Sequence, residues 1–260
     1  MRKFGFKFFS TNFRVSPMTL KKAAEFAASA KDMFIELSAF PDTSEAEFKQ
    51  IKKIIDTVEV RIHASITGFD TGNCEAERQN RKILTIAQKA ADIFQAETIV
   101  VHPGYGREQK YLEETGRQFK LFHDERIVVE NLPYYDNNGN HLHGNTADEI
   151  AYIMNESGCG FCFDFSHAIC SAAALNTDID TFLQGLFALK PSVYHLCDGD
   201  IGVIEDKHLH FGDGNYPLKH FLNDYTAKNA YITMETGAGF EALNDLRIKD
   251  YKYLKSVQNV

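Results

Sequence analysis

Three observations predict a single (β/α)8 TIM barrel over residues 1–260. Eight short β-rich runs alternate with longer helical patterns, the length of 260 residues suits one such barrel, and no linker, low-complexity tract or Gly/Ser-rich boundary divides the chain. A doubly wound open sheet is the alternative, but its first strand would usually lead into a glycine-rich phosphate turn. Here that turn reads STNFRVSP, and neither GxGxxG nor a P-loop motif occurs anywhere.

The elements follow in order. The first strand candidate is Phe4–Phe9, followed by a helix over Met18–Ser29 whose apolar residues recur at three- and four-residue steps. The second strand is Met33–Ser38. Ser44 with Glu47 three residues on resembles a capping box and opens a helix over Ser44–Asp56. After the third strand, Glu59–Ile66, the residues Ile83, Ile86, Ala87, Ala90, Ala91 and Phe94 stripe one face of a long helix. The fourth and fifth strands are Thr98–His102 and Ile127–Asn131. Thr146 with Glu149 repeats the capping pattern, and Phe161–Phe165, Val193–Cys197 and Tyr231–Glu235 complete the set.

Composition narrows the class. Apolar residues make up 44% and charged residues 25% of the chain, ordinary for a globular protein. No apolar run approaches the ~18 to 20 residues of a membrane span, and MRKFGFKFFS lacks a long apolar segment with a cleavage site, so a cytoplasmic location is expected. Five cysteines are an odd number for a disulfide framework. Cys159-x-x-Cys162 has no second pair to complete a zinc site, and small buried thiols are the better reading. The net charge of −8 gives no whole-molecule attraction for phosphate backbones.

In a barrel the chemistry sits at the C-terminal ends of the strands. Those ends carry His63 on the third strand, His102 on the fourth, Glu130 on the fifth, Asp164 and then His167 on the sixth, His195 on the seventh and Glu235 on the eighth. The loop after the seventh strand adds Asp206 and His208. Packed together, these imidazoles and carboxylates would repel or be desolvated unless cations hold them. Imidazole and carboxylate without thiolate suit Zn²⁺, Mn²⁺ or Fe²⁺ better than Ca²⁺ or Mg²⁺. The set exceeds what one ion needs, which implies two or three ions with a bridging carboxylate.

The ordered strings HPG, EN, DFSH, HLCD, DKHLHFGDG and ET resemble the xylose isomerase-like barrels, the AP endonuclease family 2 that includes endonuclease IV. The resemblance covers nearly the whole chain. It implies three zinc ions, with manganese as a possible substitute. His63, His102 and Glu130 would hold the first ion, Glu130 would bridge to a second with Asp164, His195 and Glu235, and His167, Asp206 and His208 would hold the third. The implied activity is metal-dependent hydrolysis of a phosphodiester at abasic sites in DNA. The same resemblance implies an alternative, sugar or sugar-phosphate isomerisation or epimerisation, in which Glu130 and Glu235 are the catalytic pair that moves a proton. A barrel that binds metal or sugar without catalysis is a third reading. No membrane and no protein partner are implied.

The loops bear on the substrate. STNFRVSP, AFPDT, ITGFDTGN, LPYYDNNGNHLHG and DGDIGVIEDKHLHFGDGNY contain Arg14 and Lys207 as their basic residues, against Asp42, Asp70, Asp136, Asp198, Asp200, Glu205, Asp206 and Asp213. Endonuclease IV carries a Pro-Arg step after its second strand, whereas here Pro41 is followed by Asp42. That departure keeps a small sugar open beside abasic-site DNA. Phe13, Phe69, Tyr105, Tyr134 and Tyr135 are expected either to stack on a ligand or to pack on the rim, and His141 and His143 either to reach a phosphate or a metal or, as the commoner case, to be exposed.

Overall fold

The computed structural model describes residues 1–237 and 243–258. Eight parallel strands close into a barrel in sequence order: β1 Lys3–Phe9, β2 Met33–Ala39, β3 Val60–Ala64, β4 Ile99–Val101, β5 Ile127–Glu130, β6 Gly160–Asp164, β7 Val193–Leu196 and β8 Tyr231–Met234. The ring closes through β1 beside β8, with Phe4 against Ile232 and Phe6 against Met234. The surrounding helices are α1 Asn12–Val15, α2 Pro17–Ala30, α3 Glu45–Ile54, α4 Glu77–Phe94, α5 Gln109–Lys120, α6 Ala147–Ser157, α7 Phe165–Ala174, α8 Ile179–Phe187, α9 Leu218–Asp224 and α10 Asp245–Val257. No described helix is long and apolar enough to cross a membrane.

The period-two alternation of a strand sorts the side chains into two cores. Phe4, Phe6 and Phe8 of β1, Ile35 and Leu37 of β2, and Phe161 and Phe163 of β6 point outward and join helix residues such as Leu20, Phe48, Ile83 and Ile153 in one large apolar layer. Each such buried Val, Leu, Ile or Phe side chain contributes about 1.5–3 kcal/mol, and this layer holds the fold. The residues between them face the barrel axis. There Val100, Val128, Cys162 and Val193 form a small separate apolar cluster. Gly5 makes room for the ring of Phe34, which comes within 2.4 Å of where a Cβ would stand.

The floor of the barrel is polar. Lys3 pairs with Glu59 at 2.5 Å, and the Arg61 guanidinium lies 3.5 Å from the Tyr231 ring centroid and donates to Thr98.

The predicted caps hold, with one difference. Ser44 and Glu47 form the reciprocal box at the start of α3. At α6, Thr146 accepts the Glu149 N–H, but the Glu149 carboxylate takes the N–H of Asn145 instead of returning to Thr146. The third and fourth strands are shorter than the predicted Glu59–Ile66 and Thr98–His102, because the chain leaves the hydrogen-bonded ladder as it enters the mouth.

Candidate metal centre

Local structure delivers each ionisable side chain to the mouth. Same-face spacing places Glu130 two residues beyond Val128, Asp164 beyond Cys162, His195 beyond Val193 and His102 beyond Val100, so each stands directly above the apolar cluster. Asp164 ends β6 and is also the N-cap of α7, where its carboxylate accepts the His167 N–H at 2.8 Å. That cap turns the first helical turn inward, and His167 comes with it.

Asp206 and His208 reach the site on the long connection after β7. Asp198 organises that connection: its carboxylate accepts the backbone N–H groups of Gly199, Gly212, Gly214 and Tyr216. His208 adopts φ 47, a left-handed conformation that non-glycine residues seldom take. Its strain is held by the surrounding loop, and its imidazole meets Asp206 and Glu235.

The nine residues expected from the sequence converge. The two oxygens of Glu130, wholly buried at the centre, face different histidines. Oε2 lies 3.1 Å from His63 Nε2 and 3.0 Å from His102 Nε2; Oε1 lies 3.1 Å from His195 Nδ1 and 3.5 Å from His167 Nδ1. His195 Nδ1 is also 2.8 Å from Glu235 Oε1 and 3.9 Å from Asp164 Oδ2. On the outer side, Asp206 Oδ2 is 3.3 Å from His167 Nε2 and 3.2 Å from His208 Nε2, while Ser166 donates to the other oxygen. Ligand-type atoms of His63, His102 and Glu130, and of Glu130, Asp164 and His167, lie within 4.8 Å of one another.

The electrostatics are those of an acid-rich, desolvated pocket. Burial opposes the charge of Glu130, but His195 and His102 outweigh it and hold the carboxyl well below the usual range. Burial, with Glu130, Asp206 and Glu235 close by, pushes Asp164 up to about 7 against the pull of His167. Burial disfavours the His167 cation, yet Asp164 and Asp206 push that imidazole up to about 10. His102 is pulled down to about 4 by burial, which Glu130 only partly counters. Imidazole nitrogens gathered among carboxylates are donors of the kind a divalent cation uses, and the buried residues fit such a group.

Two participants lie on strands whose ends carry none of the expected ligands. Lys7 of β1 sits 2.5 Å from Glu235 and 3.7 Å from Glu36, and Glu36 of β2 contacts His195 Nε2 at 3.0 Å. Both are buried and face the axis by the same alternation.

His143, expected to be exposed, is buried: its Nε2 accepts the Gly104 N–H and lies 2.5 Å from the Thr115 hydroxyl. His141 is part-buried, with its ring edge-on to Tyr134 and its Nδ1 3.0 Å from the Gly106 carbonyl. The pair joins the β4 and β5 loops beside the backbone pairing of Tyr105 with Leu142, while Tyr135 pairs with His141 within the β5 loop. Of the loop aromatics, Phe69 is core while Tyr105 and Tyr135 are exposed. The cysteines are free thiols, with Cys162 buried beneath Glu130 and His195.

The mouth cations are largely neutralised internally. Arg14 binds Asp42 and Glu47, and Lys207 binds Asp200. The β4–α5 connection adds an exposed Arg107. Beside the ligands lies a cavity of about 380 Å³ lined by Phe9, Phe40, Ile66, Glu130 and Glu235 among others.

A closed parallel barrel with imidazoles and carboxylates gathered at the C-terminal ends of its strands defines a (β/α)8 protein with a candidate metal centre. The chain belongs to the xylose isomerase-like TIM barrel family, which it matches over residues 2–254. It is 25% identical over 186 residues to a protein named probable endonuclease 4 from Mycobacterium leprae, covering 68% of this chain and 72% of that protein. An endonuclease 4 from Thermus thermophilus is 26% identical over 208 residues, covering 75% and 74%. Among solved structures, endonuclease IV from Thermus thermophilus superposes with a TM-score of 0.70 at 22% identity, over 98% of both chains. A D-tagatose 3-epimerase-like protein superposes equally well, TM-score 0.70 at 20% identity, over 97% of this chain and 96% of that one. These structural likenesses show the shared fold.

Proposed function

We propose that the chain is a metal-dependent phosphodiesterase of the endonuclease IV type, acting beside abasic sites in DNA. The observation that carries this reading is the split environment of Glu130: one oxygen faces His63 and His102, the other faces His195 and His167. A carboxylate so shared is suited to bridge two ions. His63, His102 and Glu130 would hold one; Glu130, Asp164, His195 and Glu235 a second; His167, Asp206 and His208 a third. Zinc suits this donor set best, and manganese is the possible substitute. Bound cations would supply Lewis-acid polarisation of a phosphoryl oxygen and a more acidic water. The chain's own residues orient the ligands: Asn131 locks Asp164 through a pair of 2.8 Å hydrogen bonds, Lys7 steadies Glu235, and Ser166 steadies Asp206.

A second reading, sugar or sugar-phosphate isomerisation with Glu130 and Glu235 moving the proton, is favoured by one observation. Arg14 and Lys207 are engaged by acids of the same chain and offer little to a phosphate backbone. Cleavage of an abasic-site duplex by zinc-loaded protein tests the choice. Cleavage stopped by a chelator and by Glu130→Gln supports the phosphodiesterase; a zinc-loaded protein that leaves the duplex intact supports the isomerase.

A further inference from the structure

Glu36 is wholly buried inside the barrel and belongs to none of the ligand sets above. Its Oε2 accepts from Thr233 Oγ1 at 2.7 Å and lies 3.0 Å from His195 Nε2. Its Oε1 has no hydrogen-bond partner and faces the Lys7 ammonium at 3.7 Å. The carboxylate is thus held on both sides, by a hydroxyl on one oxygen and a cation beyond the other.

His195 has both ring nitrogens engaged. Nε2 meets Glu36, and Nδ1 points among Glu130, Glu235 and Asp164. With a cation among the carboxylates on the Nδ1 side, that nitrogen must offer its lone pair, and the neutral imidazole then carries its N–H on Nε2, where Glu36 accepts it. We infer that Glu36 is a positioning residue that holds His195 in its Nε2–H form and aims Nδ1 at the cation site. The inference rests on the metal centre proposed above.

A competing role makes Glu36 a direct ligand with His63, His195 and Glu235, whose ligand atoms also lie within 4.8 Å of one another. Two features oppose it. Lys7 already supplies positive charge to both Glu36 and Glu235, and the Glu36 oxygen nearest His195 is taken up by the Thr233 hydroxyl.

The test compares wild type, Glu36→Ala and Glu36→Gln in zinc affinity by chelator competition, zinc per chain at saturation, and imidazole ¹H–¹⁵N correlations of the zinc-loaded proteins. Wild type should show a slowly exchanging Nε2–H on His195. Glu36→Ala should lose that protected proton and about 10- to 100-fold in affinity while binding the same number of ions. Glu36→Gln, whose amide oxygen still accepts, should keep the proton and lose less affinity. One ion fewer per chain in either variant, or wild-type affinity with an Nδ1–H imidazole, overturns the inference. If Glu36→Ala does not fold, Glu36→Gln decides by the same two criteria. Wild-type protein that binds no zinc overturns the metal centre itself, a result distinct from any difference among variants.

Discussion

The two ends of the barrel interior both bury charge, and they balance it differently. At the floor two cations are matched by two carboxylates: Lys3 meets Glu59, while Arg61 contacts Glu59 and Glu97 and stacks on Tyr231. At the mouth Glu36, Glu130, Asp164, Asp206 and Glu235 crowd around Lys7 and imidazoles whose rings are themselves close, His63 and His102 at 5.0 Å. Imidazoles packed this tightly cannot all carry a proton at modest cost. The floor is neutral by itself, and under the proposed function the mouth is completed by cations from solution. The apolar cluster of Val100, Val128, Cys162 and Val193 lies between the two polar layers.

The comparison breaks most completely at Glu130. Glu130→Gln removes the group facing both histidine pairs; zinc per chain should fall by more than half, and hydrolysis should drop to background. The stabilisation of wild type by excess zinc should vanish with it. That stabilisation is about 4 kcal/mol at a thousandfold excess over Kd, or on the order of 10 °C in Tm for a chain of this size. Differential scanning calorimetry with and without chelator reads the difference.

Lys7→Met comes next. It leaves Glu36 and Glu235 buried without their ammonium, and the metal-free protein should lose about 3–5 kcal/mol in chemical denaturation. Zinc should recover part of that loss, because it neutralises Glu235.

The pH dependence of metal binding is a smaller effect with a definite sign. Asp164 and Asp206 push His167 up to about 10 against its burial, and burial pushes Asp164 up to about 7, so at neutral pH zinc must displace the proton on His167. Affinity at the site containing His167 should rise about tenfold per pH unit from pH 7 to 9, and affinity at the neighbouring site containing Asp164 should fall below pH 7 as Asp164 binds a proton. Calorimetric titration in buffers of different ionisation enthalpy counts the protons released.

The smallest effect belongs to the floor. Lys3→Ala breaks a half-exposed ion pair and should cost no more than about 1 kcal/mol, with metal content unchanged.

The strands and six of the nine converging residues were legible because each apolar run from β3 to β8 carries an imidazole or carboxylate within one residue of its end, and barrel geometry aligns those ends. Lys7 and Glu36 escaped that criterion. Glu36 stands three residues before the end of β2 at Ala39, and Lys7 two before the end of β1, so neither marks a terminus. The available signal was alternation: a lone charge among Phe, Ile and Leu, two residues from another axis-facing position, must point inward. The exposure of His141 and His143 was misjudged because their burial depends on a contact between two loops far apart in sequence. Arg14 illustrates a further limit, since its pairing with Asp42 and Glu47 depends on how the first two βα connections meet.

Elemental analysis of protein purified without chelator and dialysed against trace zinc and manganese most directly tests whether the mouth is completed by cations. Two to three ions per chain, released by chelator with loss of thermal stability, is the predicted result. A chain that stays metal-free after that exposure and melts at the same temperature with or without chelator would contradict it.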